Sequence, residues 1–137
     1  MSGYSKKYVD DLSYKIIGCA IQVHKYLGPG LLESAYERCF IEELRINKLS
    51  YSRQEKIPLF YKGVDLNTDY RFDLVVEGII IVELKSVDAL TPVHGAQVLT
   101  YMKLLEKPKG ILINFNCVHI FREGQQTFVN EFYQRLS

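Results

Sequence analysis

The sequence predicts a mixed α/β (α+β) fold, with a central mixed sheet flanked by helices. Two stretches of helical apolar spacing open the chain, β-rich runs fill its middle, and one more helix precedes the last strands. The resulting order, ααβββαββ, belongs to α+β or mixed α/β domains. A length of 137 residues suits one domain and one core, over residues 1–137, and 47% hydrophobic content supports a packed interior.

Residues 7–27 form the first predicted helix, since Leu12, Ile16, Ala20, Val23 and Leu27 recur at helical spacing. "GPG" at 28–30 stops it, because Pro29 cannot extend a helix and the glycines permit a turn. A second helix is expected over 31–47, with Leu32, Ala35, Cys39 and Phe40 on its apolar side. "YSRQEKIPLFYKG" (51–63) reads as one or two strands interrupted near Pro58. "DYRFDLVV" (69–76) alternates, which places Tyr70, Phe72, Leu74 and Val76 on one side. "IIIVELKS" (79–86) is the most apolar strand and is expected at the centre of the sheet. Thr91 as N-cap and Pro92 at the first helical position open a third helix, running to about residue 106. "KGILINF" (109–115) and "VHIFRE" (118–123) read as the last strands, and 128–137 as a short tail helix.

A formal net charge of +1 announces no strong field for a polyanion, although a local patch can act where the total does not. Three separated cysteines without a CxxC read as buried thiols in a reducing compartment. No apolar run approaches the ~18 residues of a membrane span. The start, "MSGYSKKYVDD", lacks the apolar stretch of a signal peptide, so a cytoplasmic location is expected.

The chemistry concentrates where the apolar central strand ends in charge. Glu83 and Lys85 are spaced i and i+2, and an unpaired buried charge is costly. Asp73 lies on the preceding strand, making D-x9-E-x-K across a hairpin. A two-residue turn at 77–78 would pair Asp73 with Val82 and turn it away from Glu83. A three-residue loop at 76–78 would pair it with Ile81 and put Asp73, Glu83 and Lys85 on one face. Two carboxylates so placed suit Mg²⁺, which prefers oxygen ligands. Lys85 would orient an attacking water or offset charge on a phosphate. The plain alternative is a strand end emerging into solvent with a Glu–Lys pair.

Two further patterns point to the same end. "GLLESAY" (30–36) places Glu33 in the first turn of the second helix, where the helix dipole also favours an acid, with Tyr36 one helical step on. "QVLTY" (97–101) places Gln97 and Tyr101 at i and i+4, with His94 a turn earlier; one face could hold a phosphate or a base. A polar helix face packed beside the sheet explains the same residues.

Together, "GLLESAY", "YRFDLVV", "VELKSV" and "TPVHGAQVLTYMKLL…GILINF" resemble the GxxExxY family of the PD-(D/E)XK nuclease-like superfamily, over roughly residues 10–123. The resemblance implies a restriction-endonuclease-like αβββαβ core, with the first helix as an addition. It implies a divalent metal, Mg²⁺ or Mn²⁺, bound by Asp73, Glu83 and the Leu84 carbonyl, with Glu33 joining the site. Lys85, with Glu83 and Asp73, would be catalytic. Gln97 and Tyr101 match the Q-x3-Y that follows the lysine in RecB-type exonucleases, and with His94 and Tyr36 they are the expected substrate-binding residues. Asp73 follows Phe72 where the superfamily often has proline. The implied activity is hydrolysis of nucleic-acid phosphodiesters, with DNA ranked ahead of RNA as the expected partner. Arg45, Lys48, Arg53, Lys56, Lys103, Lys107 and Lys109 are candidate phosphate contacts. The small size and weak charge leave room for a homodimer or a partner protein. The competing expectation is an accessory module that keeps the fold and the acids without turnover.

Overall fold

A computed structural model describes residues 3–137. Helix α1 (Lys6–Leu27) is capped by the Ser5 side chain, which accepts from the Tyr8 N–H, and ends at Gly28 as the "GPG" stretch predicts. Helix α2 follows over Glu33–Ile46. The strands are β1 (Tyr51–Arg53), β2 (Phe60–Tyr61), β3 (Val64–Asp65), β4 (Leu74–Val76) and β5 (Ile80–Lys85). Helix α3 (Pro92–Leu104) starts with Pro92 behind Thr91, and leads to β6 (Lys109–Asn114). Beyond β6 come a π-helical turn (Ile120–Gly124), β7 (Gln125–Val129) and a short helix α4 (Glu131–Gln134).

Five strands form one sheet in the order β1-β4-β5-β6-β7, so the apolar run does supply the central strand. The β5–β6 pair is parallel, joined by α3 as crossover, and the other pairs are antiparallel. This mixed sheet gives the expected αβββαβ core as α2-β1-β4-β5-α3-β6. Helix α1 is the addition, and the β2–β3 ribbon is inserted between β1 and β4.

Apolar layers cover both faces. On one, Val9, Leu12, Ile16, Ala20 and Val23 of α1, with Phe40 and Leu44 of α2, bury Leu74, Val76, Ile80, Val82, Leu84, Ile111 and Ile113. On the other, Val98, Tyr101 and Met102 of α3 cover Val75, Ile81 and Leu112. Gly110 allows the close approach of α3 to β6. A Cβ there would stand 2.5 Å from Val98 Cγ1 and 2.8 Å from Met102 Sδ.

Four expectations are corrected. The strand expected at 118–123 is displaced to 125–129; the "VHIFRE" stretch is mostly taken up by the π-helical turn. Phe72 does not share a side with Leu74 and Val76. It packs on the α3 face with Val75, so the alternation breaks at Asp73, outside β4. The hairpin takes neither expected register: Val76 pairs with Ile80 across a loop of 77–79, with Glu77 and Gly78 both at positive φ. Leu74 then pairs with Val82, and continuing that register sets Asp73 opposite Glu83. The cysteines are free, as expected, but only Cys19 is fully buried; Cys39 and Cys117 are half-buried.

Candidate functional site

The break at Asp73 builds the site. Where β4 would continue beside β5, the Asp73 carboxylate takes over as acceptor: its Oδ2 receives the Leu84 N–H at 2.8 Å. A side chain thus replaces a main-chain carbonyl in the ladder, and the strands part at that point. The Asp73 carbonyl turns to the other neighbour and accepts the Gln54 N–H at 3.0 Å. Gln54, at φ 52, is a non-glycine residue in the left-handed region.

Glu83 sits opposite on β5, only 3% exposed. Its carboxyl group lies beside Asp73, and Glu83 Oε1 is buried with no hydrogen-bond partner. Burial first, then the proton shared with Asp73 and its negative charge, push the Glu83 carboxyl up to about 10, against the pull of Lys85. Without a cation Glu83 is therefore a neutral acid at pH 7, beside an Asp73 held by the Leu84 N–H. Lys85 is half-buried, and among the described residues it forms no ion pair with Glu83. A strand end carrying a solvent-exposed Glu–Lys pair is thereby ruled out.

Glu33 approaches from the start of α2. It lines a cavity of about 270 Å³ with Ser34, Glu37, Gln54, Asp73 and Leu84. Its carboxyl is raised by partial burial in that cavity and by the Asp73 charge, with Lys85 opposing. Glu37 and Gln54, absent from the sequence reading, bind Asp73 to α2. Gln54 Nε2 donates to Glu37 Oε1 at 3.0 Å and to Asp73 Oδ1 at 3.3 Å. The other oxygen of Glu37 accepts from Arg53 Nη2 at 2.8 Å. Glu37 follows Glu33 by four residues and so shares its helix face, a spacing that is the one sequence signal for it.

On the α3 side, Gln97 Nε2 donates to the Tyr101 hydroxyl at 2.9 Å. The Tyr101 phenol is raised by burial and then by the nearby Glu83 charge, with smaller contributions from Tyr70 and Asp73. The Q-x3-Y pair therefore borders the acidic pair. His94 does a structural job: its Nδ1 accepts the Thr91 N–H at 3.0 Å and closes the capping box of α3.

Tyr36 requires correction as a substrate-binding residue. It is fully buried, stacks on Phe115 with ring centroids 4.4 Å apart, donates its hydroxyl to the Gly28 carbonyl and accepts the Leu31 N–H at 3.2 Å. It fastens the 28–31 loop and offers no face to a ligand. Most of the cations expected to meet phosphate are also engaged elsewhere. Arg45 pairs with Glu42, Arg53 with Glu37 and Lys109 with Asp10, while Lys56 bonds Asn67 and Lys107 the Gly78 carbonyl.

A half-buried and a buried carboxylate on one hairpin, followed by a lysine two residues on, with a helical acid across the cavity, define a family-level signature. A model of the PD-(D/E)XK nuclease superfamily matches residues 10–128. The chain belongs to the PD-(D/E)XK nuclease superfamily. No curated protein and no solved structure gave a match. Nucleases of the superfamily generally use divalent metals, and the donor set fits such an ion. It offers hard carboxylate oxygens, one of them a buried oxygen lacking any partner. Among the described residues, however, no three acidic, histidine or cysteine side chains are gathered around one point. Asp73 and Glu83 meet; Glu33 lines the adjoining cavity rather than completing a three-acid cluster. Nor is any helix among the described residues long and apolar enough to cross a membrane.

Proposed function

We propose that this PD-(D/E)XK chain is a divalent-metal-dependent nuclease of the GxxExxY family, hydrolysing phosphodiester bonds of nucleic acid. The carrying observation is Glu83: a carboxyl buried at 3% exposure, one oxygen without a partner, directly beside a second carboxylate. A fold does not retain that cost without return, and a cation is what such a pair accepts. Asp73, Glu83 and the Leu84 carbonyl would hold Mg²⁺ or Mn²⁺, with Glu33 reaching it through the adjoining cavity. When bound, the cation supplies positive charge that polarises the phosphate and makes water a better nucleophile.

The remaining roles fall to the chain itself. The Leu84 N–H and the Gln54 amide each hold one oxygen of Asp73, which fixes the carboxylate before any ligand arrives. Lys85 orients the attacking water and stabilises charge building on the phosphoryl oxygens. Tyr101, set by Gln97, presents its hydroxyl at the border of the acidic pair, where it positions a phosphate or a base.

The deciding experiment incubates the protein with single- and double-stranded DNA and RNA, plus Mg²⁺ or Mn²⁺, beside Lys85→Ala. Cleavage by the wild type and its loss in the variant is the expected result. A protein that binds metal but leaves every substrate intact would instead be an accessory module on the nuclease fold.

A further inference from the structure

A second cleft lies between the C-terminal end of α1 and the segment that follows β6. Its volume is about 560 Å³, and its lining includes His24, Lys25, Pro29, His119, Phe121 and Arg122. Lys25, Arg122 and two histidines stand among otherwise apolar lining residues, and no carboxylate lines the cleft. The nearest acid in sequence, Glu123, is occupied: its Oε1 accepts the Val118 N–H at 2.8 Å and the His119 N–H at 3.3 Å. Neither Lys25 nor Arg122 forms an ion pair among the described residues, in contrast to Arg45, Arg53 and Lys109. Lys25 and Arg122 thus give the lining two formal positive charges and no negative one.

The cleft is firmly built. His24 Nε2 donates to the Cys117 carbonyl at 2.8 Å, tying its two walls together. Hydrogen bonds of the 28–31 loop tie the cleft to the end of β5 that carries the lysine. The cleft wall at Gly28 accepts the Tyr36 hydroxyl, the same hydroxyl receives the Leu31 N–H, and the Leu31 carbonyl accepts Ser86 Oγ at 2.7 Å, one residue beyond Lys85. Phe121, 59% exposed, offers an aromatic face beside the cations. Cations bordering an aromatic ring are the combination that holds a single nucleic-acid strand: phosphates on the charges and a base on the ring.

We propose that this cleft binds the phosphate backbone of the nucleic-acid substrate beyond the bond to be cut, with Lys25 and Arg122 as the main contacts and Phe121 as a stacking surface. The proposal rests on the nuclease reading and adds where the strand lies.

Binding is measured by fluorescence anisotropy with a labelled single-stranded DNA oligonucleotide across a range of salt. The background is Glu83→Gln, so that the oligonucleotide survives, and the comparison is with Glu83→Gln/Lys25→Ala/Arg122→Ala. Cleavage by the wild type with Mn²⁺ is assayed separately, and melting temperatures establish that each variant folds. The added substitutions are expected to weaken binding roughly tenfold at low salt and to lower the slope of log K against log salt by about 1.4, the value of two phosphate contacts to a single strand. Phe121→Ala should weaken binding with no change in that slope. If Glu83→Gln binds the oligonucleotide and the added substitutions alter neither affinity nor slope, the cleft proposal is overturned while the nuclease reading stands. If no nucleic acid is bound or cut at all, both fall.

Discussion

At the scale of single residues, the account turns on the ionisation of Glu83. Its carboxyl is raised from 4.5 to about 10 in the folded chain, so folding takes up a proton between those limits. The contribution to stability is fully present below about pH 4.5 and is lost as pH rises toward 10. Metal-free protein should therefore melt at a lower temperature at pH 8 than at pH 5, with a slope of at most about 1.4 kcal/mol per pH unit for one proton. Glu83→Gln, which keeps the neutral shape, should flatten that slope and melt higher than wild type at pH 8. A pH profile identical to wild type would show that Glu83 is not the buried acid described. Asp73, Glu83 and Lys85 could be read from the sequence because charge at the end of an apolar strand is conspicuous. Glu37 and Gln54 could not be singled out as readily. A glutamate on a helix and a glutamine in a polar strand are ordinary surface residues until the fold brings them to Asp73.

At the scale of elements, periodicity carried most of the reading and failed where a side chain overrides it. The helices over 7–27 and 91–106 and the central strand were legible from apolar spacing and capping, and the structure places them within a few residues. The hairpin register was not. Tyr70, Phe72, Leu74 and Val76 do alternate, but Asp73 leaves the ladder to cap the Leu84 N–H, and Phe72 is thrown to the other face. The last strand, "QQTFV", was missed because an edge strand with exposed Gln126 and Thr127 lacks an apolar stripe, while the Val and Ile of "VHIFRE" imitate one. Two substitutions test the elements. Tyr36→Phe removes the hydroxyl that fastens the 28–31 loop and should cost about 1 kcal/mol in chemical denaturation, since one hydrogen bond contributes that much. Gly110→Ala places a methyl group 2.5 Å from Val98 Cγ1, and should cost about 1–3 kcal/mol by pushing α3 from the sheet. A neutral Gly110→Ala would mean that α3 packs more loosely than its contacts with β6 indicate.

At the scale of the whole molecule, the sheet divides the work. One apolar layer, under α1 and α2, brings Glu33 and Glu37 to the point where β4 and β5 part; the other, under α3, brings Tyr101. Asp73 stands at the boundary and interacts with both. A cation seated there would bridge α2 and the β4–β5 hairpin, so it should stabilise the packing of these elements together. At a hundredfold excess over Kd, Mn²⁺ is expected to add about 2.7 kcal/mol to unfolding, seen as a higher melting temperature that Asp73→Asn largely abolishes.

The central claim is that Asp73 and the protonated Glu83 form the cation seat, and proton release tests it most directly. Calorimetric titration of Mn²⁺ at pH 7, in buffers of different ionisation enthalpy, counts the protons expelled per ion bound. About one proton per ion is predicted for the wild type, because Glu83 must ionise to bind, and none for Glu83→Gln. Mn²⁺ binding without proton release, or with the same release in the variant, would contradict the account.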